Sequence, residues 1–351
     1  LCIGVSCSME DDILSGVDTK GPAGIDATEL YASLDLSLLV RNSNVTTKSS
    51  ELTGPTDGTE ENMTKDERSV SDCYIAIFKY DSKTKNVGDF LTSYYSSNGS
   101  ISESLIFKIP KDKSERTDLK IVVIANAAAS VSRSGLASAS QISYADLKSK
   151  TLVEVPNVFV KVGETEIAKG DGGTYPDNKG GVSEKILGLD QPANTPVEVK
   201  LIQRTAAIML QQFKILKSDG TEYDNVEIKG LSLLNSKTIG QVAGEVSSGE
   251  KLYGMQSVNG TTERLYSYEN TSSSQPTTLK IDYVYNNGET GSCSFPIKSR
   301  LSETSDPSIA VWAGYLYKLE VTLRNATVDV TVQCVTQDWI FDKDHEFEFT
   351  F

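Results

Sequence analysis

The stretch Asn325-Ala326-Thr327-Val328-Asp329-Val330-Thr331-Val332-Gln333-Cys334-Val335-Thr336-Gln337-Asp338-Trp339-Ile340-Phe341-Asp342-Lys343-Asp344-His345-Glu346-Phe347-Glu348-Phe349-Thr350-Phe351 reads as two alternating strand patterns. Successive side chains of a strand point to opposite faces. Val328, Val330, Val332 and Cys334 therefore share one face of the first strand, and Phe347, Phe349 and Phe351 one face of the second. Such apolar stripes need a sheet to cover them, supplied either by the same domain or by a neighbouring subunit. We expect this tail, 325–351, to be bound as a donor of strands, with Trp339 between the two as a further anchor.

A matching stripe stands near the other end of the sequence. Leu30, Ala32, Leu34, Leu36, Leu38 and Val40 alternate with Tyr31, Ser33, Asp35, Ser37, Leu39 and Arg41, so one whole face of this strand is expected to be buried in a sheet. The following Asn42 to Glu67 is rich in Ser, Thr, Gly, Asn and Glu and is expected to be an exposed loop. A buried strand joined to its domain through such a loop, with Arg41 at the junction, can be cut free by an arginine-specific protease between Arg41 and Asn42. The domain left behind has an open groove and exposed sheet edges.

With 351 residues, 38% of them hydrophobic and 23% charged, the chain has ordinary globular composition and room for two domains with cores of their own. Its 48 acidic and 34 basic residues give a net charge of −14, a poor match for nucleic acid or an anionic membrane. No run of 18 apolar residues is present to form a spanning helix. Leu1-Cys2-Ile3-Gly4-Val5-Ser6-Cys7, followed by acidic residues, looks like the tail of a signal region ending at a bacterial lipoprotein cysteine. Cys7 is the expected lipidation site, with residues 1–26 forming a signal remnant and tether. Cys73, Cys293 and Cys334 stand singly inside strand patterns, which suggests buried thiols rather than a zinc site or a disulfide framework.

Period-two patterns run through Val70–Tyr80, Ser104–Ile109, Leu119–Ala125, Val153–Val160, Val197–Ile215, Val226–Leu234, Thr278–Tyr285, Ser292–Ile297 and Gly314–Leu323. Asn286-Asn287-Gly288 between two of them is a hairpin signal. One short helix is expected after Ser143. Polar stretches at Gly163–Glu184 and Ser236–Ser274 read as surface loops. The two prolines Pro192 and Pro196 suggest a boundary before Val197. The expected organisation is all-β, with an N-terminal sandwich over 27–196, whose first strand is 28–41, and a C-terminal one over 197–351.

Chemistry is sparse. The one histidine, His345, sits in an acidic turn rather than beside a nucleophile, and Lys169-Gly170-Asp171-Gly172-Gly173 lacks the P-loop pattern. Asp171 and Asp177 lack EF-hand spacing. Tyr94, Tyr95, Tyr283 and Tyr285 could stack on sugars in a cleft, but in a β protein such residues more often pair across strands. No enzyme activity and no cofactor are expected.

Taken in order, several segments resemble the fimbrillins, the pilus-forming lipoproteins of Bacteroidales bacteria. They are the strand ending in Arg41; Glu67-Arg68-Ser69-Val70-Ser71-Asp72-Cys73-Tyr74-Ile75-Ala76-Ile77-Phe78; Ile121-Val122-Val123-Ile124-Ala125-Asn126-Ala127; Gln203-Arg204-Thr205-Ala206-Ala207-Ile208; Tyr315-Leu316-Tyr317-Lys318-Leu319-Glu320-Val321; and Val332-Gln333-Cys334-Val335-Thr336-Gln337-Asp338-Trp339. The resemblance implies two transthyretin-like β-sandwich domains with Greek-key topology and export as an outer-membrane lipoprotein. It also implies loss of the first strand after an arginine and insertion of a neighbour's C-terminal strand. The long interval between Arg41 and Glu67 departs from the pattern and leaves Arg68 as a rival cleavage point. Expected partners are other copies of the chain or related fimbrillins, an arginine-specific protease and a host or bacterial surface ligand. The alternatives are a tip or accessory subunit that binds such a ligand, and a surface glycan-binding lipoprotein.

Overall fold

The computed structural model describes residues 30–34, 36–40, 64–97, 105–130, 142–153, 157–170, 173, 175, 182–185, 197–243, 253–258, 264–299, 308–324, 327–335 and 346–350. Cys7, Arg41, Asn42, Asp171, Asp177, Trp339, His345, Phe351 and the interval 42–63 lie outside the described residues.

Within them, alternating apolar residues form strands throughout. They are β1 (Leu30–Leu34), β2 (Leu36–Val40), β3 (Cys73–Asp81), β4 (Asn86–Ser96), β5 (Leu105–Ile109), β6 (Asp118–Ala125), β7 (Thr151–Val153), β8 (Lys161–Ile167), β9 (Val182–Lys185), β10 (Val197–Gln203) and β11 (Thr205–Leu216). They continue with β12 (Glu227–Lys237), β13 (Ile239–Gln241), β14 (Tyr253–Val258), β15 (Leu265–Tyr268), β16 (Thr278–Val284), β17 (Thr290–Pro296), β18 (Lys298–Ser299), β19 (Ser308–Ile309), β20 (Leu316–Arg324), β21 (Thr327–Val335) and β22 (Glu346–Thr350). Short helices α1 (Lys65–Arg68), α2 (Ala127–Ser130) and α3 (Tyr144–Lys148) and a 3-10 turn at Lys113–Glu115 accompany them. The all-β character read from the sequence is thus observed.

The chain divides into two compact units, one of residues 1–150 and 160–201, the other of 151–159 and 202–351. In the first unit a six-stranded sheet runs in the order β2-β10-β8-β6-β3-β4, and a second, three-stranded sheet in the order β5-β1-β9. Both faces of β3 and β6 are buried, from Cys73 through Phe78 and from Ile121 through Ala125, and on one side Phe78 meets the ring of Tyr144 in α3 edge-on at 5.6 Å. In the second unit the main sheet runs β17-β16-β12-β15-β11-β20-β21-β22, with β14 also on β12. Its core gathers Ile208, Leu231, Leu233, Ile281, Tyr317 and Leu319. Asn287-Gly288 turns β16 into β17 as the hairpin signal suggests, with Gly288 at φ 83°.

Several sequence expectations need correction. The first strand is not one strand in one sheet but two, β1 and β2, in different sheets. The supposed continuous strand Val153–Val160 is not formed, because Asn157 takes φ 60° and breaks the extended path between β7 and β8. Val197–Ile215 likewise divides at Arg204 into β10 and β11. The two polar stretches read as loops carry β8 and β9, and β13, β14 and β15. The single helix expected after Ser143 is α3, whose Asp146 amide donates to the Ser143 hydroxyl at 3.1 Å, but α1 and α2 accompany it. At α1 the loop reading fails for its last residues. Thr64 and Glu67 form a capping box, with the Thr64 amide donating to Glu67 Oε2 at 2.6 Å and the Glu67 amide to Thr64 Oγ1 at 3.2 Å.

Candidate strand-exchange groove

The apolar face of the first strand is buried as its alternation requires: Ala32 and Leu34 are fully covered, and Leu36 and Leu38 are 4% and 5% exposed. β1 lies between two antiparallel neighbours. Leu30 through Leu34 face Ile109 through Leu105 of β5 on one side, and Tyr31 through Leu34 face Lys185 through Val182 of β9 on the other. Leu105, Phe107 and Ile109 of β5 are themselves buried. After position 35 the chain continues into β2, which lies parallel to β10 at the edge of the larger sheet, with Leu36 opposite Val197 and Val40 opposite Leu201.

This placement has a direct energetic consequence. Among the described residues, β1 is the only link between β5 and β9 in their sheet. Without it, both strands present unpaired backbone edges beside an apolar slot. Leu34, Leu36 and Leu38 alone stabilise the closed form by about 5 to 9 kcal/mol gross, at roughly 1.5 to 3 kcal/mol for each buried leucine. A replacement strand must offer both a backbone edge and an apolar stripe of period two.

The tail carries two such stripes, and the structure sets both on their own unit. β21 pairs along its whole length with β20, from Leu316 opposite Val335 to Arg324 opposite Thr327. β22 then pairs with β21 at the end of the sheet order, placing Phe349 opposite Val330 and Phe347 opposite Val332. Val328, Val330, Val332 and Cys334 thus share β21, and Phe347 and Phe349 share β22. The predicted cleavage residues Arg41 and Asn42 lie outside the described residues, whereas Arg68, the rival cleavage point, ends α1.

At α1 and the ends of β6 and β8, a buried polar node fixes the start of the first unit's core. Glu67 and Lys161 are fully buried and Asn126 is 2% exposed. Lys161 Nζ and Asn126 Nδ2 both donate to the Ser69 carbonyl, at 2.9 and 2.8 Å. Asn126 Oδ1 in turn accepts from the Ser71 amide at 2.7 Å and the Ser71 hydroxyl at 3.1 Å. Burial drives the Lys161 amine down to about 7, against the opposing charge of Glu67. Elsewhere in this unit, a cleft of about 800 Å³ is lined by Tyr80, Asp81, Lys83, Lys113, Asp118 and Lys169. Its floor is tied together by Asp118, which accepts from the Ser82 amide at 3.2 Å and the Lys169 amide at 2.9 Å.

Other residues singled out in the sequence have structural surroundings. Tyr283 meets the ring of Phe213 at a tilt at 5.2 Å and that of Tyr285 edge-on at 5.5 Å, an aromatic cluster on the sheet. Burial raises the thiol of Cys73 and pushes that of Cys293 up to about 12, so neither offers a thiolate at neutral pH. Among the described residues no group of three His, Cys, Asp or Glu could hold a metal ion. Two partners in the groove and node escaped the sequence reading. β9 is a four-residue strand of mixed polarity inside a polar stretch, and the only signal for Lys161 was a charge between Val160 and Val162.

No protein-family model matches the chain, and no curated protein does. Solved structures do match its fold. A structure described as a cell adhesion protein from Parabacteroides distasonis superposes with a TM-score of 0.52 at 13% identity, covering 86% of this chain and 95% of its own. A fimbrillin from Porphyromonas gingivalis superposes with a TM-score of 0.51 at 9% identity, covering 87% and 92% respectively. At these identities the likeness is one of fold, and it extends over most of both chains.

Proposed function

We propose that this chain is a structural subunit of a surface fimbria that supports cell adhesion and polymerises by strand exchange. In this reading an arginine-specific protease cuts between Arg41 and Asn42 and the first strand leaves. The tail of another copy, or of a related fimbrillin, then fills the slot. The subunit reaches the cell surface as a lipoprotein held through Cys7 to the outer membrane before it joins the fimbria. The observation that carries the proposal is the position of β1 between β5 and β9, with Ala32 and Leu34 fully buried. A strand used only to cap an edge would leave one neighbour when removed, whereas this one leaves two edges facing each other. The donor stripes are Val328, Val330, Val332 and Cys334, then Phe347, Phe349 and Phe351, with Trp339 between them.

A second reading is favoured by a specific observation. The tail pairs along the full length of β20 in its own unit, as suits a tip or accessory subunit that accepts a strand and donates none. Such a subunit would bind its surface ligand elsewhere, with the cleft at Tyr80 and Lys113 as the site to test first.

Electron microscopy after treatment with an Arg-specific protease distinguishes them. Fibres from the digested protein, a new amino terminus at Asn42 and persistent monomers from Arg41→Ala are the expected results. Fibres formed by Arg41→Ala with its first strand retained would defeat the strand-exchange reading.

A further inference from the structure

We propose that Lys161 and Asn126 become joined by an intramolecular isopeptide bond that the folded protein makes by itself, with Glu67 as the proton carrier. The reacting groups are brought together by the sheet. Ala125 at the end of β6 stands opposite Lys161 at the start of β8. Asn126 then leaves the strand at φ 60°, and its carboxamide and the lysine amine share the Ser69 carbonyl as acceptor, at 2.8 and 2.9 Å.

Each component of an acyl transfer is present. The electrophile is Asn126 Cγ, whose oxygen accepts two hydrogen bonds from Ser71, at 2.7 and 3.1 Å from the amide and the hydroxyl. Donors placed on that oxygen polarise the carbonyl and stabilise the negative charge that develops on it during attack. The nucleophile is Lys161 Nζ, held where water does not solvate an ammonium. Burial brings it down to about 7, so a substantial share of the amine is neutral and carries its lone pair at neutral pH. The acid–base group is Glu67, fully buried, oriented by the Thr64 amide at 2.6 Å and near enough for its charge to act on the lysine.

The step balances without an external reagent. The Nζ lone pair attacks Cγ and forms the Nζ–Cγ bond. Glu67 takes a proton from Nζ and returns it to Nδ2, the Cγ–Nδ2 bond breaks, and Nδ2 leaves as ammonia. The product is a secondary amide clasping β6 to β8 at the point where the first unit's core begins. A purely hydrogen-bonded node would hold the Ser69 carbonyl equally well, so the bond itself must be sought.

The test is mass spectrometry of the folded full chain after incubation near neutral pH, read under denaturing conditions. Loss of one ammonia, about 17 Da, is expected, together with a tryptic product in which residues 121–133 are linked to residues 151–169 uncut at Lys161. Glu67→Gln, shown to be folded by circular dichroism, should keep the full sequence mass and give the two peptides separately. An intact wild-type chain at full sequence mass would overturn the proposal. So would loss of ammonia with the two peptides separate, which is the signature of a succinimide at Asn126.

Discussion

At Gly163 a single hydrogen decides how closely two strands approach. A Cβ there would lie 2.5 Å from the Lys200 carbonyl oxygen and 2.8 Å from Val199 Cγ1, both in β10. The first of these is backbone and cannot move aside, so β8 and β10 must separate. Gly163→Ala should destabilise the protein by about 1 to 3 kcal/mol, and calorimetry should show the transition several degrees lower. An unchanged transition would mean that the strand spacing yields freely. A second residue-scale expectation concerns acid. Burial works to raise the Asp118 carboxyl, but hydrogen bonds from Ser82 and Lys169 outweigh it and hold the group below its ordinary 3.8. A lowered folded value means that the unfolded chain binds the proton first. The contribution of Asp118 is therefore complete above about pH 4 and is lost as pH falls through the folded value. Asp118→Asn should cost about 1 kcal/mol at pH 7 and progressively less below pH 4. A cost that stays constant down to pH 2 would remove the carboxylate from the account.

Among the elements, the sequence revealed those whose buried face is apolar and hid those whose buried face is not. The stripe from Ala32 to Leu38 was legible because four of its alternate positions are apolar and all four are buried. β8 was not, because its positions paired toward the β6 core read Lys161, Gly163, Thr165 and Ile167. A buried lysine and a glycine needed for close approach erase the hydrophobic period, and Glu164 on the other face serves Lys120 across the strands at 3.0 Å. β15 was hidden differently, as the four residues Leu265 to Tyr268 in a Ser- and Thr-rich stretch, although they lie between β12 and β11. The tail was legible as strands, but alternation says nothing about whose sheet receives them. That question is one for deletion. Without 325–351, β20 keeps its parallel partner β11 and its buried Leu319 and Val321. The truncated subunit should melt cooperatively, at a lower temperature, and accept a strand without extending a fibre. Loss of the cooperative transition would make β21 and β22 integral to the second unit and end the donor assignment. Within the tail, Val330→Asp should block assembly, because an unpaired charge in an apolar slot costs several kcal/mol, whereas Thr331→Lys on the opposite face should not. Equal assembly by the two variants would show that β21 is not the inserted strand.

For the whole molecule, what sequence reading reached was a buried apolar stripe from Ala32 to Leu38, and what it missed was the geometry that would make loss of that stripe consequential. That geometry depends on β9, a short strand recognisable only once β1 is seen beside it. Charge, by contrast, is legible from composition and has a consequence for assembly. The whole chain has 48 acidic and 34 basic residues, of which residues 1–41 hold seven acidic and two basic, so subunits cut after Arg41 keep 41 acidic and 32 basic residues, a net charge of −9, and repel one another over the Debye length. That length shrinks from about 30 Å at 0.01 M salt to about 10 Å at 0.1 M. The slot and the proposed donor stripes are apolar, so in this reading the binding energy itself has little salt dependence, and screening acts mainly on the encounter. Fibre growth after protease treatment should therefore accelerate as salt rises across this range, while disassembly of formed fibres changes little. Light scattering on one preparation at several ionic strengths measures both rates. Growth that slows with salt would mean that complementary charged patches steer the subunits together, and the acidic excess would have to be confined to surfaces away from the joint.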